Sequence, residues 1–257
     1  MGNQAKVPLI GNIMASRWAY EGLATNQFKN NKYQQLYFDI ERQISNASYR
    51  ENWADKIEEQ LQEASGTINA PNTSPGTLKK VESFFKAEFK DLKTEYPKVP
   101  LTDIMNMDII TAKQSFLKTC KQNLDTASKY FHKELDDATS KKEHLEELLV
   151  QKLGSVDALR KFEHMHSNDR LKDIVTNSTD GKDKVIVTGN RVIRKYHPVF
   201  IQSKDVGLFS APFYAYSKSF FGIQMETIWF NVIIIWLMTL MLYCILYFDV
   251  LRKFLER

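Results

Sequence analysis

The run Glu163-His164-Met165-His166 places two imidazoles and a carboxylate in four consecutive positions, the residue types from which transition-metal sites are built. Their spacing argues otherwise. On a helix, i and i+2 point to different sides, whereas helical metal pairs sit three or four residues apart. His164 and His166 therefore read as surface histidines. Cys120 falls in a polar helical stretch and Cys244 in an apolar run, so the two are not expected to pair and do not report the redox compartment. The sequons at Asn46, Asn72 and Asn177 matter only if the chain meets a glycosylating compartment. The sequence holds no Walker A loop, GxSxG, HExxH or CxxC. No catalytic, cofactor-binding or metal-ligating residue is expected in this chain. The run "ELDDATSKKEHLEE" reads as a solvated helix face. A net charge of +4 with a pI near 8.8, evenly spread, gives no basis for a nucleic-acid partner.

The elements that position these residues are mostly helical. Ser16 to Tyr33 reads as a short amphipathic helix capped by Ser16, with Trp18, Leu23 and Phe28 as its large apolar residues. Leu36, Ile40, Ile44, Ala47, Ala54, Ile57, Leu61 and Ala64 then recur mostly three or four apart, with a coiled-coil flavour. "TINAPNTSPGT" interrupts the pattern with two prolines and a glycine. A second helix carries Leu78, Val81, Phe85, Phe89 and Leu92, and stops at "YPKVP". From Asp108 to Leu153 neither proline nor glycine intervenes, and a stripe from Leu117 to Leu148 predicts one long helix. Such narrow stripes need partners, so helices near 33–65, 77–95 and 108–153 are expected to pack as an elongated antiparallel bundle. After Gly154 come two short helices and "KVIVTGNRVIRKY", a hairpin turning at Gly189-Asn190. The aromatics Phe213, Tyr214, Tyr216, Phe220 and Phe221 fit either an interfacial belt or re-entrant segment, or packing beneath the bundle.

Ile228 to Phe248 contains 21 residues without a formal charge, about 32 Å of helix and enough to cross a bilayer's hydrocarbon core. A mean hydropathy of −0.38 for the whole chain makes this segment an exception. Arg252, Lys253 and Arg257 follow it, while Lys218 is the only basic residue in the preceding twenty. That bias predicts a cytoplasmic C-terminus, with Arg252 and Lys253 as anchors and the bulk of the chain outside the cytoplasm. "MGNQAKVPLIGNIMASRW" lacks the apolar core of a signal peptide, so upstream transmembrane helices are expected to do the exporting. Within the span, Asn231 and Thr239 are polar and about 80° apart around the helix, on one broad side. That side is expected to pack on other helices, Asn231 supplying an interhelical hydrogen bond; the alternative is that Asn231 only reaches the headgroups.

The segment "MASRWAYEGLATNQF" resembles the aromatic–Glu–Ala–x–x–x–Asn–x–Phe signature that follows the fifth transmembrane helix of ABCG-type (ABC-2 superfamily) ATP-binding cassette transporters. Ser16, Arg17, Trp18, Ala19, Glu21, Asn26 and Phe28 carry the match, and Gly22 stands where that family usually has alanine. "FNVIIIWLMTLMLYCILYFDVLRKFLE" looks like the sixth helix and basic tail of the same proteins. In them an external loop with re-entrant helices joins the two landmarks; here the gap is about 200 residues. Most closely, the chain resembles the C-terminal part of large bacterial ABCG-like proteins with fused ATPase and permease domains. The resemblance implies ATP-driven movement of a substrate, often lipidic or amphipathic, across the plasma (inner) membrane. ATP and Mg would belong to a nucleotide-binding domain that this chain lacks. The implied partners are the bilayer, upstream permease helices, that ATPase domain and a second transporter half. Ser16, Arg17, Trp18, Glu21, Asn26 and Phe28 would form an external gate.

The expected fold is mainly α: an extracytoplasmic helical bundle or coiled coil, a small irregular or β-hairpin region, and one C-terminal transmembrane helix. The expected divisions are a gate-like segment at 1–32, the inserted bundle at 33–153 and a mixed segment at 154–222. A membrane helix at 223–251 and a tail at 252–257 complete them. The competing reading is a tail-anchored coiled-coil scaffold held at a membrane by residues 228–248. It accounts for the stripes, but not for "SRWAYEGLATNQF" or the basic tail.

Overall fold

The computed structural model describes residues 9–70, 73–177, 184–202, 213–220 and 222–248. They are mainly helical and fall into two compact units. Arg252 and Lys253 lie outside the described residues, as do Asn72 and Phe221.

One unit comprises residues 39–152 and 184–196. Most of helix α3 (Gln34–Asn69) belongs to it, with α4 (Pro75–Glu95) and α5 (Lys113–Leu153). The apolar stripes meet as the spacing requires: Trp53, Ile57 and Leu61 of α3, Phe85, Phe89 and Leu92 of α4, and Phe116, Cys120, Leu124 and Phe131 of α5 form one core. The Ser74 side chain accepts from Thr77 N and Pro75 occupies the first turn, a favoured start for α4. Helix α5 starts later than the expected Asp108, because that side chain accepts from Ile110 N at 3.0 Å and holds a turn instead.

The strands β1 (Val185–Thr188) and β2 (Arg191–Arg194) complete this core rather than belonging to a separate mixed segment. Thr188 pairs with Arg191 across a two-residue turn whose Gly189 has φ +60°, a conformation that favours glycine. Val185, Val192 and Tyr196 join the apolar cluster. Buried Glu88 accepts from Trp53 Nε1 at 2.7 Å and Val192 N at 3.0 Å, tying α3, α4 and the hairpin together. Burial holds its carboxyl above the ordinary range, against the lowering effect of those donors. Arg191 pairs with Asp91, and Arg194 reaches Ser45, Asn46 Oδ1 and the Tyr196 carbonyl. The Asn46 side chain of the first sequon is thus engaged inside the unit.

The second unit contains residues 9–38, 153–177 and 197–248 as far as they are described. A short α1 (Leu9–Ile13) runs into α2 (Ala15–Asn30) through Met14. Ser16 does not cap α2: Met14 N bonds the Gly11 carbonyl and Arg17 N the Met14 carbonyl, so backbone from the preceding turn takes that role. Helices α6 (Val156–His166) and α7 (Asp169–Thr176) are capped by Ser155 and Asn168. A 3-10 turn at Pro198–Phe200 follows, and then β3 (Ser217–Phe220) and β4 (Ile223–Glu226) pair antiparallel. Residues 223–226, expected as the start of the membrane helix, are therefore strand. Helix α8 (Thr227–Tyr247) is long and apolar enough to cross a membrane and mostly exposed.

Candidate functional site

Helix α2 lies against the first half of α8, and the pairings fix the sense. Trp18 packs with Phe230 and Ile234, Gly22 faces Ile228 and Asn231, and Lys29 pairs with Glu226. Positions rise along α2 as they fall along α8, so the helices are antiparallel. A Cβ at position 22 would lie 3.2 Å from Ile228 Cδ1 and 3.4 Å from Asn231 Nδ2. Glycine permits that approach, which accounts locally for its departure from the alanine of the resembled signature.

Around this crossing the chain buries a set of charges. Glu21 is 0% exposed and Lys218, from β3, 1% exposed; Lys218 Nζ stands 2.8 Å from Glu21 Oε1. Asn231 donates from Nδ2 to the Trp18 carbonyl at 2.8 Å and to Glu21 Oε2 at 3.4 Å. Its Oδ1 accepts from Lys218 Nζ at 3.3 Å. Tyr214 N donates to Glu21 Oε1 at 3.2 Å from a backbone held at φ +67°, a conformation a tyrosine adopts only under local constraint. Thr227, the first residue of α8, donates its hydroxyl to the Ala215 carbonyl. The indole of Trp18 and the ring of Phe230 face the ammonium of Lys218, with centroids 4.9 and 5.3 Å from Nζ.

These partners explain how charge is tolerated here. A buried carboxylate needs an opposite charge and several donors, and Glu21 has both. Burial pulls the Lys218 ammonium below its ordinary range, and Glu21 pushes back. Arg17, also lowered by burial, lies 3.8 Å from Glu21 Oε2 and bonds Asn12 Oδ1 at 2.8 Å. Both side-chain oxygens of Glu21 are engaged by these partners. The cluster's chemistry is that of a clasp joining α2, β3 and α8.

The other expected site residues are distributed differently. Phe28 belongs to a second cluster with Ala24, Phe38, Val175, Val199 and Phe200, against which Tyr214 and Tyr216 pack. Those two tyrosines pack within this unit. Asn26 accepts from Asn30 on the surface of α2, and Ser16 is exposed. Thr239 is exposed and donates to the Ile235 carbonyl of its own helix, so it does not share the partners of Asn231. His164 is exposed, and His166 Nδ1 bonds the Phe162 carbonyl at 2.9 Å. No group of three or more potential ligands is assembled for a metal among the described residues.

Sequence reasoning missed Lys218, treating it only as a flanking charge. The available signal was a lone lysine among aromatics, close before an apolar helix, with one carboxylate in α2 to balance it. Comparison with family models, curated proteins and solved structures finds no match to this chain.

Proposed function

We propose that this chain is the external-loop and final-helix portion of an ATP-driven transporter of the ABCG-like kind. The observation carrying the reading is the clasp. The segment resembling the post-fifth-helix signature packs antiparallel on the segment resembling the sixth helix, through Trp18, Glu21, Gly22 and Asn231. Two resemblances found separately, at opposite ends of the chain, thereby gain a shared geometry.

On this reading α8 crosses the plasma membrane with its C-terminus in the cytoplasm. The bundle, with its coiled-coil-like spacing, projects outside, and α1–α2 form a gate element beside α8. Exposed Ile13, Met14, Tyr20 and Leu23, on and just before α2, support a re-entrant position for that element. ATP and Mg act in a separate nucleotide-binding domain, and two transporter halves pair. ATP-driven closure of two such domains would move α2 and α8 together, because the clasp couples them. The transported substrate would be lipidic or amphipathic.

The coding sequence immediately upstream tests the proposal. An uninterrupted frame encoding apolar segments and a GxxxxGK[ST] loop is expected. An isolated promoter and start site would overturn it and favour a tail-anchored scaffold.

A further inference from the structure

Among the described residues the clasp is unbalanced: two cations, Arg17 and Lys218, face the single carboxylate of Glu21. Glu21 sits closer to Lys218, at 2.8 Å, than to Arg17, at 3.8 Å. Arg17 is left with Asn12 Oδ1 and that longer contact, and its buried Nε has no hydrogen-bond partner among the described residues. Its guanidinium lies near two rings, 4.1 Å from the Trp18 ring centroid and 5.3 Å from that of Phe213. Its side chain retains 11% exposure, so it is open on one side.

Depth decides what reaches that side. Trp18 packs on Phe230 and Ile234, so Arg17 lies alongside the first two turns of α8, about 5–10 Å below its start. The exposed residues around it, Ile13 and Met14 just before α2 and Ala15, Ser16, Tyr20 and Leu23 within it, carry no formal charge. A guanidinium at this level, surrounded by apolar side chains, either extends to the phosphate layer or draws a phosphate inward. Arginine's planar fork also matches phosphate oxygens, and the rings beside it favour its cation.

We propose that Arg17 binds the phosphodiester headgroup of a membrane phospholipid in the leaflet at the start of α8. This rests on reading α8 as a membrane span. The lipid phosphate balances the surplus positive charge of the clasp and meets the guanidinium where it remains exposed, beside the long Glu21 contact. Anionic phospholipid is preferred over zwitterionic, because among the described residues the cluster carries one uncompensated positive charge.

The test uses the full chain in detergent micelles, titrated with phosphatidylglycerol, phosphatidylcholine or phosphate-free diacylglycerol and read by native mass spectrometry. Wild type is expected to retain phosphatidylglycerol about fivefold more strongly than Arg17→Gln, the factor associated with one basic residue near an anionic surface. Arg17→Lys should fall between them, and diacylglycerol should not discriminate. If Arg17→Gln loses helicity, Phe213→Leu serves as the second variant, with weaker retention expected at unchanged helicity. Equal retention by wild type and the folded variants would overturn the site. Displacement of the lipid by inorganic phosphate at equal concentration would overturn the lipid assignment in favour of a free-anion site. Alkaline carbonate extraction reads the membrane span independently: a chain that washes off refutes the span, whereas an integrated chain without Arg17-dependent retention refutes the headgroup site.

Discussion

Asn231 Nδ2 donates to the Trp18 carbonyl at 2.8 Å, joining two positions 213 residues apart. The same amide accepts from Lys218, so one side chain holds both α2 and β3 against α8. Asn231→Leu keeps the volume but leaves the Lys218 ammonium short of an acceptor. It should destabilise the second unit by about 1–3 kcal/mol, measured as a lowered unfolding midpoint in detergent. An unchanged midpoint would show that the amide does not contribute to the clasp.

Removing one member of the buried ion pair should cost more than removing both. Glu21→Gln and Lys218→Met are each expected to lose about 3–5 kcal/mol, since each strands a charge. The double variant should recover much of that loss. Additive single effects in the double-mutant cycle would mean the two groups are not coupled.

The pH response separates Lys218 from its neighbours. Burial holds its ammonium below the ordinary 10.5, so between its folded value and 10.5 the unfolded chain binds the extra proton. Stability of wild type relative to Lys218→Met should therefore rise as pH climbs through that window. Below the folded value the difference should be flat. Unfolding midpoints of both proteins between about pH 7 and 10.5 supply the comparison, and a falling difference would contradict the burial of the charge.

Close approach at Gly22 predicts a graded response. Gly22→Ala gains helix propensity but must displace the Ile228 methyl slightly, so it should stay within about 1 kcal/mol of wild type. Gly22→Leu has no such accommodation and should lose about 1–3 kcal/mol or more, read as a lower unfolding midpoint. Comparable stability for the leucine variant would show that α2 and α8 are not packed closely there.

The bundle offers a soluble test. A fragment of residues 33–153 lacks the hairpin that donates to Glu88 and pairs Arg191 with Asp91. It should be helical by circular dichroism yet melt below a fragment of residues 33–196. Equal melting would show the hairpin to be incidental.

Three helices of the bundle were legible because their apolar residues repeat at helical spacing over many turns. The start of α5 was not, since Asp108 traps its own neighbouring backbone in a turn that helix propensity does not register. The pair β3–β4 escaped notice for a different reason. Its strands are four residues long, and Lys218 occupies a buried position that a period-two pattern reserves for an apolar residue. The clasp was only half legible: Trp18, Glu21 and Asn231 stood out by type, but the ion pair with Lys218 is set by the fold. No local pattern encodes which distant carboxylate meets which lysine.

The segmented assembly of the two units sets an order of events during synthesis. The bundle lacks its hairpin until residues 185–194 have left the ribosome, although its three helices are finished by Leu153. The wait of α2 is longer. About 200 residues separate Glu21 from Lys218 and α8, so while they are being added a carboxylate and an apolar helix face lack these native partners. Such a nascent α2 is exposed to misassociation until α8 is made. A pause or truncation before residue 231 would release a chain whose bundle is complete and whose clasp cannot close.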